Sequence, residues 1–158
     1  MNLISRCLGV ADSGARLAVI TATAIMVVVV SAQVVMRYVF NGSFDWADEV
    51  SRLAFVWAIF LAIPLGVSQG SHVGIGLLVE RLPARVSHWI QRLMNLLAGL
   101  MMLVVFGCAL VVSHATWSER LGSIDVTSSV FFFPVIIGAA HSALHLFHGT
   151  FAPQEPTT

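Results

Sequence analysis

Residues 17–36 read LAVITATAIMVVVVSAQVVM, a run of 20 positions without one charged side chain. At about 1.5 Å per residue, a helix of this length reaches about 30 Å, the thickness of a bilayer's hydrocarbon core. Three further stretches have the same character, namely residues 53–71, 93–113 and 126–147. Because lipid offers no hydrogen bonds to an open backbone, all four are predicted to be transmembrane helices.

The composition of the whole chain agrees with this prediction. Of its 158 residues, 58% are hydrophobic and only 10% are charged, which lies outside the range of soluble globular domains. Its eight basic residues are all arginines and are balanced by eight acids, so nothing favours nucleic-acid binding. No connection is long enough for a soluble core. We therefore predict one all-α membrane domain over residues 1–150, with spans at about 17–36, 46–69, 90–113 and 126–147, and a disordered tail over 151–158.

The arginines indicate how the chain is oriented. Two precede the first span and three lie between the second and third, whereas the opposite side holds Arg37 and Arg120, with Arg52 just inside the second span. By the positive-inside rule, both termini are predicted to be cytoplasmic. A cleaved signal peptide is the alternative for the N-terminal region, but its apolar segment has only about 7 to 15 residues, and the run here is longer.

The connection from His72 to Arg92 differs from an ordinary polar loop. Its apolar residues are interspersed with Glu80, Arg81 and Arg85, so it is too short and too charged to cross a bilayer. A short amphipathic segment lying in the cytoplasmic interface fits this pattern best. Pro83 is expected to end that segment or to begin the next helix.

A charged cluster stands at the start of the second span. Asp48 and Glu49 precede Arg52 by four and three residues, so one helix face can hold a local ion pair. An arginine one turn inside the membrane should be paired, extended toward the interface or buried against another protein. One interpretation is interfacial anchoring alone. The other is a surface that binds a partner, with Arg37 across the hairpin as a further contact.

Six histidines raise the possibility of haem or metal. His141 and His145 are four residues apart on one face of the fourth span and form a cluster with His148 near its cytoplasmic end. A bis-histidine haem needs two imidazoles at one depth on facing helices, and His114 lies at the other end of the third span. We therefore predict no metal, no cofactor and no catalytic residue. A haem-binding anchor subunit, with His114, His141 or His145 as ligands, is the alternative.

Nothing in the spans indicates a transport pathway within this chain. It has no pair of intramembrane carboxylates and no internal repeat. Pro64 with Gly66, and Pro134 with Gly138, are expected to do no more than kink the second and fourth spans. The residues therefore predict a protein that assists transport by another subunit. A small transporter acting as an oligomer of this chain is a further alternative.

An ordered set of short motifs resembles a known family. The motifs are RYVFN at residues 37–41, WADE at 46–49, FVW at 55–57, FL at 60–61, Gly66, His72 and LLVERLP at 77–83. Their order and spacing in a four-span protein resemble the small membrane subunit, DctQ-like, of tripartite ATP-independent periplasmic (TRAP) transporters. The match is good from Gln33 to about Arg85 and loose elsewhere.

The resemblance implies a non-enzymatic scaffold in the bacterial inner (cytoplasmic) membrane. In this family the small subunit anchors a large multi-span, DctM-like permease subunit that carries the solute and the coupling ion, usually sodium, in symport. A periplasmic DctP-like binding protein delivers the solute, mostly an organic acid such as a dicarboxylate or sialic acid. Matched by position, the residues expected to make subunit contacts or to position the helices are Arg37, Trp46, Glu49 and His72. Asp48 and Arg52 join them as interface candidates from the charge pattern.

Overall fold

The computed structural model describes residues 3–68 and 84–151, and all of its regular structure is helical apart from one isolated bridge. Four α-helices follow one another: α1 (Leu3–Val39), α2 (Ala47–Ser68), α3 (Ala84–Ala115) and α4 (Phe133–Phe151). A 3₁₀-helix, η1 (Ser128–Phe131), precedes α4. Each of the four α-helices contains a segment long and apolar enough to cross a membrane, with η1 completing the last one. The predicted fold class is confirmed.

Two stretches of the sequence predictions fall outside the described residues. One holds His72 and most of the predicted amphipathic segment, and the other holds the predicted tail after residue 151.

Helix α1 begins well ahead of the predicted first span. Its 37 residues would extend about 55 Å, more than a hydrocarbon core requires. The prediction began at Leu17 because Arg16 is the last charge before the apolar run. A charge limits insertion into lipid but does not end a helix, and the preceding residues contain no proline. The helix therefore carries Asp12 and Arg16 toward the end of the bundle that holds the two termini.

The helices pack in the order α1, α2, α4, α3. Helix α1 lies against α2, α2 against α4, and α4 against α3. Within the described ranges, α1 and α3 therefore stand at the two ends of the packed series. Large apolar side chains are exposed along both of them, among them Val28, Val35, Leu100 and Val104. In a membrane these side chains meet lipid or another membrane protein.

Helices α2 and α4 approach closely where Pro64 interrupts the hydrogen bonding of α2. Proline has no N–H, so the carbonyl of Phe60, four residues earlier, loses its usual helical donor. Gly138 of α4 lies directly against this carbonyl, and a Cβ added to Gly138 would overlap the Phe60 oxygen. Pro64 is fully buried. Pro64 thus leaves the Phe60 carbonyl without its helical donor. Because Gly138 has no side chain, the backbone of α4 can lie against that carbonyl.

Pro134 lies at the start of the last helix and not inside it. It is the second residue of α4 and is fully buried. A proline in the first turn of a helix costs no hydrogen bond, because N–H groups there have no partner within the helix. The prediction that Pro134 kinks the fourth span is therefore wrong: the α-helix starts there, after the 3₁₀ turn of η1.

Candidate functional site

The five described interface candidates lie at one end of the bundle, called here the loop end, which is formed by residues 40–46 and 116–127. Arg37 is in the last turn of α1, and Trp46 immediately precedes α2. Asp48 and Arg52 are exposed on α2, whereas Glu49 is half-buried. His72, the sixth candidate, lies outside the described residues. The hairpin between α1 and α2 thus brings five of the six predicted residues to one surface.

The end of α1 fixes the shape of this hairpin. The N–H groups of Phe40 and Gly42 both donate to the carbonyl of Met36, at 3.2 and 3.1 Å. Asn41 adopts a left-handed conformation with φ of 53°, which asparagine tolerates better than most residues and which commonly ends a helix. The side chain of Gln33 then accepts from the Phe44 N–H at 3.0 Å. The chain is therefore held through the turn by backbone and side-chain bonds.

Glu49 joins this hairpin to the second loop. Its Oε1 accepts from the backbone N–H of Gly122 at 2.8 Å, and both of its carboxylate oxygens accept from the Ser123 N–H at 3.1 Å. Hydrogen bonds to an ionised acceptor are stronger than neutral ones. One carboxylate from the first turn of α2 thus fastens the loop between α3 and α4 to the hairpin.

The second loop is itself well ordered by short-range bonds. Arg120 pairs with Asp125 at 2.8 Å, and Leu121 donates to the carbonyl of Val126. Where the loop enters η1, the hydroxyl of fully buried Ser129 donates to the Ser113 carbonyl at 2.6 Å. The first two bonds join residues within the loop, and the third anchors its end on α3. Glu49 therefore binds a loop whose backbone is already held in place by other hydrogen bonds.

The local ion pair suggested by the spacing of Asp48, Glu49 and Arg52 does not form. Among the described residues, no carboxylate lies within 4 Å of the Arg52 guanidinium, and Glu49 faces the second loop instead. The charges of Asp48 and Arg52 therefore remain exposed on the surface of this single chain.

A second polar cluster, of three residues, lies near the other end of the bundle, and the sequence predicted two of the three. Nε2 of His141 and Nε2 of His145 lie 3.0 and 2.9 Å from Oδ1 of Asp12, on α1. The predicted pairing of the two histidines on one face is correct, but His148 is not part of the cluster. Asp12 was missed because it precedes the apolar run. The available signal was the absence of proline between Asp12 and the apolar run, which allows one helix to contain both.

The positions of the histidines count against the haem alternative. His114 is exposed in the last turn of α3, at the loop end. His141 and His145 point toward Asp12 near the opposite end of the bundle. Within the described residues, His114 therefore cannot form a facing pair with either of them.

Comparison with known proteins gives the family. Residues 26–152 match the family described as tripartite ATP-independent periplasmic transporters, DctQ component. A TRAP transporter small permease protein of Haemophilus influenzae is 31% identical over 100 residues, covering 63% of this chain and 58% of that protein. The chain thus spans somewhat more than half the length of this relative.

Two other relatives carry more specific names. The C4-dicarboxylate TRAP transporter small permease protein DctQ of Vibrio cholerae is 34% identical over 61 residues, which are 39% of this chain and 26% of that protein. The sialic acid TRAP transporter permease protein SiaT of Haemophilus influenzae is 28% identical over 102 residues, 63% of this chain but only 15% of that protein.

These matches give no support to a haem-binding anchor subunit, and they concern transporter components, not enzymes. Most of the chain, including the hairpin, α2, α3 and α4, falls inside the matched region. The four apolar helices and the match together identify a multi-pass protein of the bacterial inner membrane. The chain belongs to the DctQ component family of tripartite ATP-independent periplasmic transporters.

Proposed function

We propose that this chain is the small scaffold subunit of a TRAP transporter and that it holds a DctM-like large permease subunit in the inner membrane. The observation that carries the proposal is its relation to SiaT, in which the matching region makes up only 15% of a much longer permease protein. In that protein a segment like this chain is one part of a larger permease. We infer that here the same segment, as a separate chain, binds such a permease.

The exposed apolar surface of the bundle supports this proposal. Helices α1 and α3 each pack mainly against one neighbouring helix, and their other faces carry exposed valines, leucines and methionines. Two long helices are thus available for contact with a second membrane protein, without any rearrangement of the four-helix bundle. Which of the two faces the large subunit is a question for cross-linking.

We further propose that the loop end helps to dock a periplasmic, DctP-like binding protein. This proposal rests on the predicted orientation, in which both termini are cytoplasmic and the loop end is periplasmic. Glu49 gives the loop end a fixed shape by joining its two loops, and Arg37, Trp46, Asp48 and Arg52 are exposed on it. An ordered surface loses less conformational entropy on binding than a mobile one.

The solute is proposed to be an organic acid taken up in symport with an ion. The printed names of the relatives refer to a C4-dicarboxylate and to sialic acid, both of which carry carboxylates. The carboxylate of Glu49, which is held at the loop end by two backbone N–H groups, would repel such an acid. The large subunit is therefore expected to bind the solute.

Site-specific photocross-linking tests the scaffold proposal and the surface together. A photoreactive phenylalanine analogue in place of Trp46, which is 43% exposed, should cross-link in native membranes to a large multi-span permease identified by mass spectrometry. The same analogue in place of Trp89, 74% exposed in the first part of α3, tests whether the exposed face of α3 makes this contact.

We expect a permease cross-link at Trp46, and a second one at Trp89 if the exposed face of α3 also contacts the large subunit. Adducts with lipid alone at both positions would refute the proposed contact. Strong cross-links between copies of this chain would favour the alternative of a small transporter acting as an oligomer.

A further inference from the structure

The proposed scaffold makes no use of the cluster of Asp12, His141 and His145. Three potential metal-ligand atoms converge there from two helices: Oδ1 of Asp12 on α1, and the Nε2 atoms of His141 and His145 on α4. The side chains of the two histidines are only 10% and 12% exposed, and that of Asp12 is 25% exposed. Buried ionisable groups are costly unless they are paired or bind a metal ion.

The geometry points to a binding site for a divalent transition metal, and we propose Zn²⁺. The two imidazole nitrogens lie 3.2 Å apart, and each lies 2.9–3.0 Å from the same carboxylate oxygen. Around a tetrahedral zinc with bonds of about 2.0–2.1 Å, the ligand atoms are about 3.3 Å apart. The three atoms thus already form one face of such a tetrahedron, within a few tenths of an ångström.

The protons of the cluster give a second argument for a cation. If both Nε2 atoms carry a proton, two N–H groups converge on one oxygen and also face each other at 3.2 Å. If neither does, three lone pairs converge with no proton between them. If only one does, it can be shared between the other imidazole and the carboxylate. A metal ion at the centre would satisfy all three lone pairs at once.

The ligand types and their spacing suit zinc. Histidines four residues apart on one helix face are a recurrent zinc-binding arrangement, and a carboxylate is a common third ligand. Hard cations such as Mg²⁺ and Ca²⁺ prefer all-oxygen sites, so two imidazoles disfavour them. Sodium is disfavoured for the same reason. The fourth position would fall to water, because the described structure supplies three ligand atoms.

Two of the three residues of the cluster border open surface cavities. Asp12 lines a surface cavity of about 330 Å³ together with Ser13 and Arg16. Arg16 is the competing cation, one helical turn from Asp12, but among the described residues it is not within ion-pair distance of that carboxylate. His141 borders a second, mostly apolar surface cavity of about 870 Å³, so ligands on both helices lie beside open space.

Binding would connect two helices that otherwise touch little. Helix α1 packs against α2, and α4 packs against α3 and α2, so α1 and α4 are not major packing partners. A metal held by Asp12 from α1 and by two histidines from α4 would join them near the end that holds the two termini. Because the ligands come together only in the folded bundle, metal binding should also stabilise the fold.

The test is metal binding by the full chain, purified in detergent and freed of its affinity tag. After treatment with a chelator, the protein is dialysed against Zn²⁺, and bound zinc is measured by elemental mass spectrometry. We expect one zinc per chain, and Co²⁺ as a probe should give the intense visible bands of a tetrahedral site. Binding well below one zinc per chain would overturn the proposal.

Two variants and two controls identify the ligands. Asp12→Asn and His145→Asn introduce polar side chains of similar or smaller size that are poor zinc ligands. Loss of a residue that only hydrogen-bonds to a metal ligand weakens metal binding by roughly 10- to 100-fold. Each of the two variants removes a ligand itself and should therefore weaken zinc binding by more than that. His148→Ala and His114→Ala remove histidines outside the cluster and should bind zinc like the unsubstituted chain.

Folding is checked separately by size-exclusion chromatography. If a variant fails to give a single peak, His145→Cys takes its place, because a thiolate keeps zinc binding but shifts the cobalt bands. Equal loss of zinc from the control variants and the cluster variants would refute the assignment. So would cobalt bands that are unaffected by His145→Cys.

Discussion

The contact between Gly138 and the Phe60 carbonyl makes the packing of α2 on α4 sensitive to a single methyl group. In Gly138→Ala, the new Cβ would overlap the carbonyl oxygen and lie 3.0 Å from the carbonyl carbon. The obstructing atoms are backbone and cannot rotate away as a flexible side chain could. The two helices would therefore have to separate, and the buried contact around Pro64 would loosen.

The expected magnitude follows from two opposing effects. Overpacking a tight interior costs about 1–3 kcal/mol, and a rigid backbone obstacle places this case near the upper end. Alanine in place of a helical glycine returns about 1 kcal/mol of backbone entropy. The net destabilisation should be about 2 kcal/mol, which corresponds to a loss of about 4–8 °C in Tm for a protein of this size.

The assay is thermal unfolding in mild detergent, followed by the loss of the monodisperse peak in size-exclusion chromatography. Gly66→Ala in α2 and Gly107→Ala in α3 are matched controls, because a Cβ at either position meets no atom within 4 Å. Both should leave Tm unchanged or raise it slightly. A Gly138→Ala variant as stable as these controls would refute the proposed close contact.

Three further predictions concern the loops and the orientation. Glu49→Ala removes the acceptor for the N–H groups of Gly122 and Ser123. Since the site is partly open to water, the variant should be about 1–2 kcal/mol less stable. Hydrogen exchange at those two amides should become faster, and unaltered exchange would contradict the role given to Glu49. Arg52→Ala should reduce the amount of large subunit that co-purifies with this chain. The control is Arg120→Ala, which breaks the exposed pair with Asp125 and should leave that amount unchanged. Equal yields from the two variants would argue against a role for Arg52. A reporter that works only in the cytoplasm should be active when it is fused after Thr158. Activity at the same position of a reporter that works only in the periplasm would overturn the predicted orientation.

The sequence predicted the membrane helices well because the signal for them is local. An apolar run of about 20 residues needs no knowledge of its neighbours to be recognised as a span. The predicted span, residues 17–36, lies within α1, but a prediction of the span does not say where the helix around it begins. A helix can continue beyond the bilayer, and here the continuation carries Asp12 into contact with α4.

Partners distant in the chain could not be predicted from spacing. The interval between Glu49 and Arg52 indicated a possible local pair, but the bonds of Glu49 go to residues 73 and 74 positions away. Pro64 and Gly138 were each recognised as unusual, whereas their common contact at the Phe60 carbonyl depends on how α2 and α4 are aligned. The sequence supplied the residues of these contacts but not their pairing.

The most direct test of the central claim is affinity purification of the tagged chain from its native membrane in mild detergent, with quantitative mass spectrometry of the proteins that accompany it. The scaffold account predicts a large multi-span permease recovered in about equal amount with this chain. Recovery of the chain alone, or in complexes containing only copies of itself, would contradict that account.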